Sequence, residues 1–332
     1  MVVKIVVTGA SGLVGHRLVR QLLERGGCEI VGLVRDVPKA KRVTRELAGD
    51  EIPLIEADVS DASSLEGKLD GFELLFHAAG LPEQWQPDSD TFHRINAEGT
   101  ANVMREAVKA GVDRVVYTST MDIFAAPEGG TLREDRLDAE DRPSAYGRSK
   151  QAADRAAREV GAEGLDVVHV CPSGVYGPSP NHKTLNSFFI KLLKGETPLL
   201  PPGGTSVVFV DALARLQLAA ADRGQAGRHY LASDTYVDNR ELATAIRNAE
   251  GKGKGVPPTA PDWLMTGVAA ASELVARCFG TEPFLIRSQL EFLRWQARAD
   301  ATRAIDELGF EPTPLDEGVA ATVAFLKEHQ WV

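Results

Sequence analysis

The stretch Val2-Val3-Lys4-Ile5-Val6-Val7-Thr8-Gly9-Ala10-Ser11-Gly12-Leu13-Val14-Gly15 decides the fold. Val2–Val7 is an apolar, β-branched run that reads as a buried strand. After the turn, Leu13–Arg25 places Leu13, Leu18, Leu22 and Leu23 on a common face and reads as a helix. The glycines between them have distinct tasks. Gly9 permits a tight turn, Gly12 lets a pyrophosphate approach the backbone, and Gly15 allows the helix to pack closely on the strand. Free N–H groups at the helix start add partial positive charge. Gly9, Ser11, Gly12, Leu13, Val14 and Gly15 are therefore the expected phosphate cradle of a dinucleotide cofactor.

Outward from this turn, apolar strands alternate with helical patterns. Further strands are expected at Glu29–Val34, Pro53–Glu56, Leu74–His77, Arg114–Thr118 and Asp166–Val170, with a long helix at Phe92–Ala110 ended by Gly111. That alternation predicts an α/β, doubly wound parallel sheet of the Rossmann type. The rhythm breaks after Pro172. Val207–Asp211 and His229–Leu231 read as strands returning to the sheet, and from Asp238 the chain is mainly helical. The expected organisation is a dinucleotide-binding domain over 1–172, with 205–235 rejoining it. A smaller, mainly helical C-terminal substrate-binding region takes 173–204 and 236–332, with a Gly/Pro/Lys-rich link at Gly251–Pro258.

Composition narrows the partners. With 37 basic and 47 acidic residues among 332, the net charge of −10 disfavours nucleic acid. The chain has 3 cysteines, Cys28, Cys171 and Cys278, without metal-ligand spacing, so neither a disulfide framework nor a metal centre is expected. No apolar run approaches the roughly 18 residues of a membrane span, and a soluble, cytoplasmic protein with no membrane partner is expected.

The end of the second strand meets the adenosine ribose in such sheets. Here it reads Val34-Arg35-Asp36, followed by Lys41 and Arg42. Arg35, helped by Lys41 or Arg42, suits a 2′-phosphate, so NADP(H) is favoured, whereas Asp36 on a ribose would suit NAD(H). Asp58 and Val59 are placed near adenine. His77, Ala78 and Ala79 flank the cofactor, although a lone histidine such as His77 more often serves a core.

Tyr146-Gly147-Arg148-Ser149-Lys150 begins another helix and sets Tyr146 and Lys150 one turn apart. A tyrosine with an ordinary pKa near 10 needs a neighbouring cation for acid–base work near neutrality. Thr118-Ser119-Thr120 supplies hydroxyls at the end of the fifth strand.

With these elements in order, the chain resembles the extended short-chain dehydrogenase/reductases over nearly its whole length. The resemblance rests on the Thr8–Gly15 loop, Asn96-Ala97-Glu98-Gly99-Thr100, the Thr118–Thr120 run and Tyr146–Lys150. Pro172-Ser173-Gly174-Val175-Tyr176-Gly177-Pro178 and the Ala304–Phe310 run complete it. It implies Tyr146 as general acid/base, Lys150 as its pKa modulator and ribose ligand, Thr120 (with Ser119 the alternative) as carbonyl polariser, and Asn96 as a helix-bending or relay residue. Thr118, Pro172 and Val175 would line the cofactor site. Within that group Gly174 departs from the epimerase pattern, and Met121 stands where sugar dehydratases place an acid. The segments around Arg35 and Pro172 look more like dihydroflavonol reductases and 3β-hydroxysteroid dehydrogenases. Phe209 and Ala212 also depart from the family pattern, so contacts around Asp211 are expected to differ.

The expected function is NADP(H)-dependent hydride transfer to or from a small or medium, partly apolar carbonyl or secondary alcohol. A sugar-nucleotide epimerase and a non-catalytic cofactor sensor are the alternatives. Met121, Phe124, Trp85, Phe188, Phe189 and Trp263 are candidates for the substrate wall. The family's usual dimer face, here Phe92–Ala110 and Ala145–Gly161, implies a homodimer.

Overall fold

The computed structural model describes residues 2–47, 52–179, 185–251 and 255–332; the centre of the Gly251–Pro258 link and part of 177–204 lie outside them. Seven parallel strands form the main sheet. Across the sheet they run Leu54–Glu56, Cys28–Val34, Val3–Thr8, Leu74–His77, Arg114–Thr118, Asp166–Pro172 and His229–Ala232. The chain first runs outward from Val3–Thr8 and then returns to build on its other edge. The crevice created by that reversal opens above the carboxyl ends of Val3–Thr8 and Leu74–His77.

Strand periodicity explains the layering. Ile5, Val7, Val116 and Val168 face a core shared with Leu18 and Leu22 of helix Leu13–Arg25 and Leu213 and Leu216 of helix Val210–Arg223. Val6, Leu75, Val115 and Val167 face the opposite core with Val103 and Met104 of helix Gly99–Ala110 and Ala153 and Ala157 of helix Ala145–Ala162. Both faces are covered, which is why these strands read as continuous apolar runs.

The second half of the chain departs from the sequence reading in two places. Gly204–Phe209 does not rejoin the main sheet. It pairs with Gly174–Tyr176 and Thr235–Asp238 in a separate three-stranded sheet, and Asp211 already lies in a helix. Only His229–Ala232 returns, beside Asp166–Pro172. Short apolar strands carry no mark of which partner they will find, so the sequence could not separate the two sheets. Residues 302–310 also leave the cap: Ala304, Leu308 and Phe310 pack into the core of the main sheet. The cap has its own core, in which Tyr176, Phe189, Leu242, Ile246, Val319 and Val323 meet. Around Asp211 the contact is an ion pair with Arg17, which ties the first helix to helix Val210–Arg223.

Candidate active site

The phosphate loop has the geometry that its glycines require. Gly9 sits at φ +71°, and a Cβ there would lie 2.8 Å from the Ala79 Cα. At Gly15 a Cβ would lie 2.2 Å from the Gly9 carbonyl oxygen. Gly12 donates its N–H to Gly9 O at 2.8 Å and starts the helix with no side-chain cap and no acidic residue in the first turn. The start of this helix is thus free to face an anion, and Ser11, Leu13 and Val14 are partly buried along it. A cradle this short of side chains fits a dinucleotide pyrophosphate.

At the end of the second strand, Asp36 accepts from the Lys39 N–H at 2.9 Å, within the turn that opens helix Val37–Leu47. Arg35 is 70% exposed and 4.0 Å from Asp58. Arg42 is exposed on the same helix. Asp58 also accepts from the Ser60 N–H and hydroxyl, and Val59 packs under Gly99, where a Cβ would lie 2.9 Å from Val59 Cγ2.

His77 is 1% exposed and bonded on both ring nitrogens, by Thr8 at 2.8 Å and Thr100 at 3.1 Å. Burial, with Lys150 nearby, pulls its pKa down to about 3, so it is a neutral core histidine at the strand end. The loop after it carries Ala78 and Ala79 over Gly9, and the Ala79 N–H donates to the Thr8 hydroxyl.

Asn96 lies inside a π-helical stretch, His93–Glu98, between helical segments Asp90–Phe92 and Gly99–Ala110. The widened turn lets its amide donate to Leu81 O and to Ser149 Oγ, both at 3.0 Å, while its carbonyl accepts from the Leu81 N–H at 2.7 Å. It therefore joins the loop after Leu74–His77 to the helix that carries Tyr146.

Ser144 caps that helix by accepting from the Gly147 N–H. Tyr146 is partly buried and edge-on to Phe92, with the Thr120 hydroxyl close to its phenol. Burial pushes the phenol well above its ordinary pKa; the charges of Asp122 and Glu83 add to this, and Thr120 opposes it. Lys150 donates to Tyr117 OH at 3.3 Å and Thr118 O at 3.1 Å. Burial lowers its pKa to about 8. In this state its ammonium is directed to the end of the fifth strand. The Thr118 hydroxyl accepts from Gln217 at 2.7 Å. Pro172 is buried at the end of its strand, and Val175 pairs with Val208 in the small sheet.

Two acids are added by the tertiary structure. Asp122 is 8% exposed and accepts from the Thr120 hydroxyl at 3.1 Å. Burial raises its pKa, against the pull of Arg142 and Thr120. Glu83, from the loop after Leu74–His77, lies near Ser288 of the cap, and burial together with Asp122 lifts its pKa to about 7. Arg142 fastens the turn after Thr120 by donating to Asp122 O and Phe124 O, and it stacks on Trp295 of the cap. Glu83 left no sequence signal, since a single glutamate in a loop is ordinary. Among the candidates for the substrate wall, Phe124 and Phe189 are fully buried core and Trp263 is 74% exposed.

Residues 5–233 match the NAD dependent epimerase/dehydratase family. The chain belongs to that family. Among relatives, it is 27% identical to a putative dihydroflavonol 4-reductase of Synechocystis sp., over 98% of this chain and 95% of that protein. It is 30% identical to the UDP-glucose 4-epimerase of Mycolicibacterium smegmatis, over 97% of each. The solved structure of DesIV, a dTDP-glucose 4,6-dehydratase from Streptomyces venezuelae with NAD bound, superposes with a TM-score of 0.78 at 25% identity, covering 98% of both chains. The protein is accordingly an NAD(P)-dependent enzyme of the extended short-chain dehydrogenase/reductase type. Among the described residues no helix is long and apolar enough to cross a membrane.

Proposed function

We propose that this enzyme is an NADP(H)-preferring oxidoreductase acting on a small or medium, partly apolar carbonyl or secondary alcohol. The observation that carries the reading is the pairing of the Thr120 and Tyr146 hydroxyls beside the strand ends, with Lys150 one helical turn further on. The cofactor, when bound, supplies or accepts the hydride. Gly9, Gly12 and Gly15 leave room for its pyrophosphate, and Arg35 with Arg42 offers cations for a 2′-phosphate. Asp36 is engaged in its own turn, which favours Arg35 over it as the ribose-end ligand. In the reductive direction Thr120 and Tyr146 bond the carbonyl oxygen and Tyr146 passes its proton to the developing alkoxide. Burial keeps the phenol protonated before reaction. In the assembled site Lys150 would stabilise the phenolate that remains after proton donation. Met121, 2% exposed, can supply no proton for elimination.

The epimerase reading has one observation in its favour, the full-length similarity to a UDP-glucose 4-epimerase. The two readings part on cofactor behaviour: an epimerase keeps NAD through purification and turns over a nucleotide sugar without added cofactor. Titrating NADPH and NADH into wild type and Arg35→Ser, beside a carbonyl and alcohol panel, tests the proposal. Wild type is expected to bind NADPH about 10-fold or more tightly than NADH, as a lost charge-assisted bond would cost. Arg35→Ser is expected to erase the difference. A wild-type preference for NADH would overturn the cofactor assignment, and turnover of nucleotide sugars alone would overturn the reductase reading.

A further inference from the structure

Five strands each contribute one polar or ring side chain at a single level of the main sheet. In the strand registers Thr8 stands beside His77, His77 beside Tyr117, Tyr117 beside His169, and His169 beside His229. None is more than 6% exposed. His77 stacks on Tyr117 at 5.6 Å, Tyr117 meets His169 edge-on at 5.7 Å, and the two histidine rings are 4.2 Å apart. The row runs beneath the active site. Helix Ala145–Ala162 lays two side chains against it: Lys150, whose ammonium lies over the Tyr117 ring, and Asp154, one turn later.

Asp154 is 1% exposed. Its Oδ1 accepts from His169 Nδ1 and His229 Nε2, both at 3.0 Å, and its Oδ2 accepts from Arg158 Nε at 2.9 Å. Burial alone would protonate it, yet the histidine bonds outweigh burial and hold the carboxyl far below its usual range. Burial keeps His169 neutral, so its Nδ1 carries the donated proton and its Nε2 has no partner. The three ligand-type atoms lie within 4.8 Å of one another, a spacing that hydrogen bonds to one shared oxygen already explain.

The groups around Lys150 come from every element packed on it. His77 and Tyr117 are neutral, because burial lowers the first and raises the second. The Cys171 thiol, pushed well up by burial, is neutral as well. Tyr146 is a neutral phenol. Asp122 is drawn toward its protonated form. Asp154 is the carboxylate in this set that its own donors hold ionised.

We propose that Asp154, buried one helical turn from Lys150 on the same helix face and anchored by His169 and His229, is a positioning residue whose fixed negative charge keeps the Lys150 ammonium charged while that ammonium bonds Tyr117 and Thr118. The inference rests on the role assigned to Lys150 above. The test follows the Lys150 Cε resonance of 13C-lysine-labelled enzyme through pH, assigned with Lys150→Arg, in parallel with the pH profile of kcat/KM. Asp154→Asn is expected to lower the Lys150 midpoint by about one pH unit. The alkaline limb of kcat/KM should fall with it, and Asp154→Glu should restore most of the shift. Arg158→Gln, on a side chain 41% exposed, removes the cation that shares the carboxylate, so the midpoint should move upward even where Asp154→Asn folds poorly. An unchanged midpoint in folded Asp154→Asn, or in Arg158→Gln, would overturn the proposal. So would one equivalent of tightly held metal released on denaturation, since Asp154 and the histidines would then be ligands. If the midpoint moves but the kcat/KM limb does not, Asp154 does position Lys150 and the catalytic reading of Lys150 is what fails.

Discussion

Asp122 and Asp154 lie on two sides of the same problem. Both are buried carboxyls acting on Lys150, at 8% and 1% exposure, yet their environments drive them in opposite directions. Asp154, in the core behind helix Ala145–Ala162, accepts three N–H bonds, and they hold its carboxyl well below the usual range. Asp122, in the cleft before it, accepts from the Thr120 hydroxyl, and the Arg142 Nε beside it is spent on its backbone carbonyl. Its pKa rises. Donor supply, more than depth of burial, decides in which direction the pKa of each carboxyl moves. Behind Lys150 three N–H donors hold a carboxylate charged; in front of it burial raises the pKa of Asp122.

The largest effect should come from the front. Tyr146→Phe removes the proton donor and should cut turnover roughly 10²–10⁴-fold while cofactor affinity, measured by fluorescence titration, stays near wild type. Turnover close to wild type would mean that the cleft uses another acid. Asp122→Asn should act more gently. With the charge that raises the Tyr146 phenol gone, the phenolate forms more easily, and the acid limb of alcohol oxidation should shift to lower pH by up to about one unit. A shift to higher pH would place Asp122 with Asp154, as a charge that supports Lys150.

Glu83→Gln should have the smallest effect, on stability. The folded pKa of Glu83, about 7, lies above its unfolded value of about 4.3, so the stability it contributes is present at acid pH and lost as pH rises through 7. The variant should therefore gain roughly 2–4 °C in Tm over wild type at pH 8 and almost nothing below pH 4. Equal Tm values across that range would show that burial does not raise the Glu83 pKa.

Much of the first half was legible because its signals are local. The Gly9–Gly15 turn is contiguous, the six strands expected before Pro172 lie within two residues of those observed, and Tyr146 and Lys150 are one helical turn apart. Asn96 gave only a resemblance; its π-helical turn and its bonds to Leu81 and Ser149 needed the fold. His77, expected beside the cofactor and weighed against a core role, has its ring held in the core by two buried bonds. The strand expected at Val207–Asp211 is observed at Gly204–Phe209, shifted toward the N-terminus and in a second sheet that the sequence did not show.

By itself, then, the sequence determined the glycine turn, the winding of the sheet and the spacing that sets Tyr146 and Lys150 one helical turn apart, because each depends on spacing along the chain. Only the tertiary structure decided what surrounds them. Thr8, His77, Tyr117, His169 and His229 come from five strands spread over more than two hundred residues, and parallel register alone lines them up under Lys150. A charge in a protein interior is governed by the groups within a few ångströms of it, and those groups are set by folding, whatever their distance along the chain.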